Sequence, residues 1–166
     1  MTVASYTFED DGRIPNSSLP VLVYAGALDG GAGAGAYEKL FAAHGWLGAW
    51  RDGIYPFHHF HSTAHEVLGI AAGSAEVMLG GPAGQRFELG AGDVVVLPAG
   101  TGHCNLGSSP DLLVVGAYPN GMEWDLRRGD PDEHDEAVAN IARVPLPEQD
   151  PVQGETGALL EHWKTS

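Results

Sequence analysis

Between residues 53 and 119 the chain reads as six short runs, GIYPFHHFH, EVLGIAAG, SAEVMLGG, QRFELGAG, DVVVLPAG and LLVVGAYP, separated by turns that are mostly glycine. Runs of this length bounded by turn residues read as strands. No helical stretch lies between them to carry a parallel crossover, so the pattern predicts an antiparallel sandwich or barrel. The expected fold class is all-β.

The flanks read differently. In residues 1–49 a strand-like SYTF and an apolar LPVLVYAGAL precede a glycine-rich connection. Tyr37, Leu40, Phe41 and His44 then fall at helical spacing and Gly45 supplies the stop. This part is expected to be an N-terminal extension containing a helix, outside a barrel core of about residues 50–120. Beyond residue 121, Asp130 is placed to cap, Pro131 to take the first helical position and Glu133 to complete a capping box, so a helix is expected through EAVANIARV. The tail to residue 166 offers Leu159, Leu160 and Trp163 for docking. At 166 residues the whole is expected to be a single domain.

Charge excludes several partners. A formal net charge of -14, with only eight Lys and Arg, leaves no basic stripe for nucleic acid or an anionic membrane. The longest apolar run, Leu19 to Leu28, is too short to span a bilayer, and the first residues lack the pattern of a secretory signal. One cysteine, Cys104, forbids an intrachain disulfide and fits a reducing compartment. A cytoplasmic protein is expected.

The chemistry is concentrated in FHHFHSTAHE, residues 57–66. On a strand, Tyr55, Phe57, His59 and His61 share one face, and Ile54, Pro56, His58 and Phe60 the other. His59 and His61 can therefore converge on one ion and His58 cannot. After the polar STA turn, Glu66 opens a run with Leu68 and Ile70 on its own face and can bring a carboxylate into the same interior. His65 has the opposite parity and competes with Glu66 for that role, or orients a ligand. After the glycine-rich turn that follows Pro98, His103 starts another strand. It shares a face with Asn105, while Cys104 points away.

The arrangement Gly53-x5-His59-x-His61-x4-Glu66-x6-Gly73, followed by Gly92-x5-Pro98-x-Gly100-x2-His103, resembles the two motifs of the cupin superfamily. The wording YPFHHFHSTAHEVLG and LPAGTGHCNLGSS is similar to the single-domain cupins of the YjlB type. One position departs from the pattern: the second motif's asparagine is expected four residues after its histidine, where this chain has Gly107, and the nearby asparagine is Asn105. The resemblance implies a jelly-roll β-barrel with His59, His61, Glu66 and His103 as metal ligands at its mouth.

Three imidazoles and a carboxylate in an open set suit iron or manganese, with nickel or zinc as alternatives. Tyr55, Phe57, His65 and Asn105 are the expected neighbours of ion or substrate. A metal-dependent enzyme follows, acting on a small polar organic molecule bound through its oxygens, oxygenase-like or else an isomerase or epimerase of a sugar or keto acid. A non-catalytic ligand-binding protein is the alternative. Apolar surface left over, including Leu159, Leu160 and Trp163, is expected to be covered in a homodimer.

Overall fold

A computed structural model of the chain describes residues 1–164, so the last two positions of the expected tail, 165 and 166, lie outside the described residues. The larger sheet contains β1 (Thr2–Tyr6), β2 (Val21–Ala25), β3 (Trp46–Asp52), β4 (Glu66–Ala72), β7 (Val94–Leu97) and β9 (Leu113–Pro119), in the order β1-β2-β7-β4-β9-β3. The smaller contains β5 (Ser74–Leu79), β6 (Gln85–Gly90) and β8 (His103–Ser108), in the order β6-β5-β8. Every strand pairing is antiparallel. The architecture is the all-β, double-sheet jelly roll that the strand pattern and motif spacing point to.

Strand alternation divides the core into two layers. Leu68 and Ile70 of β4, Val95 and Leu97 of β7 and Val114 of β9 face Ala75, Val77, Leu79 and Leu89 of the smaller sheet. The opposite parity, Val67 and Ala71, Val94 and Val96, Val115 and Ala117, packs outward against Tyr37 and Phe41 of α1 (Ala34–Ala43) and against Leu159 and Trp163. This explains why β4 is buried at six consecutive positions instead of alternating with solvent.

Four local expectations change. Residues 53–61 do not form a regular strand: only His59 and Phe60 make isolated bridges, to His103 and Arg127. Pro56 has no N–H to give a ladder. Those two bridges suffice to keep the alternation, because Phe60 is buried against Ile14 and Ala137 while His59 faces the other way. The supposed N-terminal extension is part of the sheet, since β2 pairs with β7 and β3 with β9.

The start of the C-terminal helix also differs. Asp130 caps a 3-10 turn at Pro131–Glu133 by accepting from Asp132 N–H at 2.9 Å, and α2 (His134–Arg143) begins only after it. Glu133 reaches Arg127 at 3.3 Å instead of closing a capping box. Finally, the tail docks on its own chain: α3 (Ala158–His162) brings Leu159 and Trp163 into the outer core layer, so these residues do not call for a second copy. Among the described residues no helix is long and apolar enough to cross a membrane.

Candidate metal centre

The site brings together side chains from the bridge at His59 and His103, from His61 two residues on and from the start of β4. His59 and His103 face each other across an antiparallel bridge, with backbone bonds of 3.1 and 2.9 Å in the two directions. Their rings stand 4.0 Å apart between centroids. His61 follows two residues on, and its carbonyl accepts from Gly100 N–H at 2.8 Å. Gly100 takes φ +96°, and a Cβ there would lie 2.4 Å from the Asn16 carbonyl oxygen, so this tight approach requires glycine. Glu66 opens β4 opposite Leu97 of β7.

All four side chains are buried, none more than 7% exposed. The Glu66 Oε1 atom lies 3.4 Å from His61 Nε2 and 3.5 Å from His103 Nε2. Among the described residues, His61, Glu66 and His103 form a group whose ligand atoms all lie within 4.8 Å of one another. His59 stands beside this group and outside that limit, its ring centroid 6.0 Å from that of His61.

The other ring nitrogens fix the tautomers. His59 Nδ1 bonds the Phe57 carbonyl at 2.8 Å, His61 Nδ1 the Asp125 carbonyl at 2.5 Å and His103 Nδ1 the Thr101 carbonyl at 3.0 Å. A carbonyl can only accept, so each Nδ1 carries the proton. In a neutral ring Nε2 is then left with its lone pair, which is how metal-binding imidazoles are held.

Comparison with known sequences identifies the family. A family model described as Cupin matches residues 51–122. The uncharacterised protein YjlB of Bacillus subtilis is 44% identical over 160 residues, 96% of this chain and 95% of that one. The chain belongs to the cupin family, in the YjlB group. Solved structures similar to this cupin include a DUF861 family protein of Thermotoga maritima. It is 17% identical, with a TM-score of 0.35, over 58% of this chain and 96% of that one. Another is an acireductone dioxygenase of Bacillus anthracis, solved with a cadmium ion in its active centre. It is 17% identical, with a TM-score of 0.40, over 74% and 80% of the two chains.

The buried charges of this cupin are matched to one another. Burial pushes the Glu66 carboxyl up, but the imidazoles of His61 and His103 outweigh it and hold the group well below the usual carboxylate range. His61 moves the other way: burial pulls it down, and the Glu66 charge lifts it above its ordinary value. Burial, followed by repulsion from His103, lowers His59 to about 3.

A cavity of about 510 Å³ opens over the group, and Tyr55 lines it. Phe57 stays behind that wall, stacked on Tyr55 at 5.0 Å and edge-on to His59. Asn105 turns away, its amide spent on Ser108 Oγ and Gly107 N–H. The Gly107 that replaces the motif's asparagine thus lies with Asn105 at a register irregularity where β8 pairs with β5.

His65 lies on the opposite side of the sheet from the centre, facing a second cavity beside α2. Its Nδ1 accepts from Ala99 N–H at 2.9 Å, the reverse of the tautomer at the three other histidines, so its Nε2 bears hydrogen. Neither a ligand role nor contact with the first cavity fits that placement. His58 is half-buried and outside the cavity wall.

Sequence reasoning missed Trp50, Tyr118, Trp124 and Asp125. Tyr118 was within reach of parity, since Val114, Gly116 and Tyr118 share the inward face of β9. Trp50 required reading WLGAWRD as a strand, which places it opposite Gly116. Its indole then fills the space a side chain would take, because a Cβ on Gly116 would lie 2.2 Å from it. Trp50 Nε1–H donates to Tyr118 Oη at 2.8 Å. Burial first, and then the charge of Glu66, keeps the Tyr118 hydroxyl protonated far above the ordinary phenol range. Trp124 and Asp125 sit in an irregular loop that carries no local signal.

Proposed function

We propose that this cupin is a metal-dependent enzyme in which His59, His61, Glu66 and His103 hold a divalent ion, iron or manganese in preference to nickel or zinc. The observation that carries the reading is the set of three imidazoles whose Nδ1–H groups are spent on backbone carbonyls beside one buried carboxylate. Such an ion would supply Lewis-acid or O2-activating chemistry to a small organic molecule bound through its oxygens. The chain's part is to shield that molecule from water in the cavity and, through the Tyr118 hydroxyl, to offer a hydrogen-bond donor next to Glu66.

Oxygenation is the first form of the reaction. A second form is a proton-shifting isomerisation of a sugar or keto acid, in which Tyr118 serves as a neutral hydrogen-bond donor beside Glu66. O2 uptake with turnover selects the first and turnover without uptake the second. Thermal stabilisation by a ligand that is never converted would instead mark a binding protein.

The centre itself is tested by elemental analysis of untagged protein. Wild type and His65→Ala are expected to retain one ion per chain after dialysis and His61→Ala to lose it. Equal trace metal in all three rejects the centre. The reading includes a cytoplasmic location, supported by the lone buried Cys104. It also includes a homodimer, supported by exposed Leu47, Leu106 and Leu126, and sedimentation as a monomer at micromolar concentration would overturn that part.

A further inference from the structure

The wall of the cavity over the candidate centre is chemically one-sided. Trp50, Tyr55, Tyr118 and Trp124 supply four aromatic rings, with Ile54 and Leu68 between them. Apart from the three histidines and Glu66, the one acidic or basic side chain that lines the wall among the described residues is that of Asp52. Among the described residues no lysine or arginine lines it. Arg51, next in sequence to this wall, is held by Glu38 at 2.6 Å. Arg128 lies over the Phe57 ring, 3.9 Å from its centroid, behind Tyr55.

These surroundings discriminate among molecules that could reach an ion through oxygen. A molecule with a further anionic group beyond the oxygens that would face the ion, such as a tricarboxylate or a phosphate ester, brings a negative charge that no lysine or arginine of the wall offsets, in a protein whose formal charge is already -14. Burying an uncompensated charge is costly. A flat apolar body gains on the same surface, because aromatic faces bury large areas and prefer offset or edge-on partners. Tyr118 and Trp124 already form a nearly parallel panel, 6.1 Å between centroids at 20°. The volume of about 510 Å³ accommodates a substituted ring.

We infer that the substrate is an aromatic compound with two adjacent oxygen atoms on one edge, of the catechol type. The two oxygens face the ion and the ring lies on the panel of Trp50, Tyr118 and Trp124. The inference rests on the metal-centre reading and narrows it. Tyr118 Oη accepts from Trp50 Nε1–H, which leaves its own O–H to donate on the Glu66 side, where one of the two oxygens would compete for it. Trp124 is 47% exposed on its loop. It sets specificity at the mouth, since it forms the exposed end of that panel.

The test compares 4-tert-butylcatechol with oxalate on the Mn(II)-loaded protein under argon, by calorimetry, with the metal content measured before and after. Both probes chelate through two oxygens and only one has the apolar ring. The catechol is expected to bind at least about tenfold tighter than oxalate, and Trp124→Ala to weaken it at least about fivefold while oxalate changes less than about twofold. Trp124→Phe should restore most of the loss. Oxalate binding as tightly as the catechol overturns the inference, as does a ratio that Trp124→Ala leaves unchanged. Those results with full metal leave the centre standing, whereas a wild type that holds no ion removes the centre and the inference together.

Discussion

His61 and Asp125 are separated by 64 residues, yet the Asp125 carbonyl receives the His61 Nδ1–H. The Asp125 carboxylate locks the segment behind that histidine, accepting from Ser62 N–H at 2.6 Å, from Ser62 Oγ and from Thr63 N–H. Arg127 holds the same carboxylate at 2.8 Å and is in turn held by Glu136 of α2 at 2.7 Å. The orientation of one candidate ligand therefore depends on the loop after β9 and on the helix beyond it.

Asp125→Ala removes the clamp and leaves the ligand atoms in place. The expected result is a metal affinity lower by roughly 10- to 100-fold and a stability loss of about 2 kcal/mol. Competition with a chelator measures the first and urea unfolding the second. Unchanged affinity in a destabilised variant would show that Asp125 serves the fold alone.

His65 gives a pH dependence that belongs to the fold and is separate from the centre. Burial lowers its pKa to about 4, against a weaker opposing effect of the Pro145 carbonyl, while in the unfolded chain it titrates near about 6.5. Between these values the unfolded state binds more protons than the folded one. Stability is thus full above the unfolded value and falls as pH drops from about 6.5 towards 4. The largest loss from this group is roughly 3 kcal/mol. Urea midpoints at pH 7.5 and 5.0 measure it, with His65→Gln expected to flatten the difference. An equally steep dependence in the variant would assign it to other groups, His59 first.

How much of this was legible depends on the range of the determining interactions. The ladder of short strands, helix α1 and the inward parity of His59, His61 and Glu66 follow from periodicity and turn chemistry, which act within a few residues. The place of β2 and β3 in the large sheet follows from long-range pairing with β7 and β9, which no local pattern contains. His65 was ambiguous for a related reason. Adjacent residues point to opposite faces, and only the packing of Trp163, 4.8 Å from its ring, shows that the outer face is buried too. Asp125 was invisible because a backbone carbonyl does its work on His61, and every residue has one.

Gly116 makes the cavity wall possible, and enlarging it is expected to deform that wall. In Gly116→Ala the new methyl would meet the Trp50 indole at 2.2 Å, among rigid ring atoms. The ring must move, breaking its bond to Tyr118 and intruding on the cavity. A loss of about 1–3 kcal/mol is expected, with a shift in tryptophan fluorescence and weaker binding of ring-sized ligands. A variant with wild-type stability and emission would contradict the close packing of Trp50 on β9.

Asp150 performs for the tail what Asp125 performs for the centre. It is fully buried and accepts from the Tyr24 hydroxyl at 2.5 Å, from Val152 and Gln153 N–H at 2.7 and 2.9 Å, and from Leu159 N–H at 3.0 Å. One carboxylate thereby ties β2, the turn at 150–154 and the start of α3 together. It seats Leu159 and Trp163 on the outer face of the large sheet. Asp150→Ala strands four donors, two of them deep in the core, at a cost of at least about 3 kcal/mol. Release of the tail should then precede global unfolding, so proteolysis is expected first between residues 150 and 158, and exposure of Trp163 should redden the emission. The centre lies on the other face of the sheet, so metal content per folded chain should stay at the wild-type level. Simultaneous loss of metal and tail would mean that the two faces unfold as one unit.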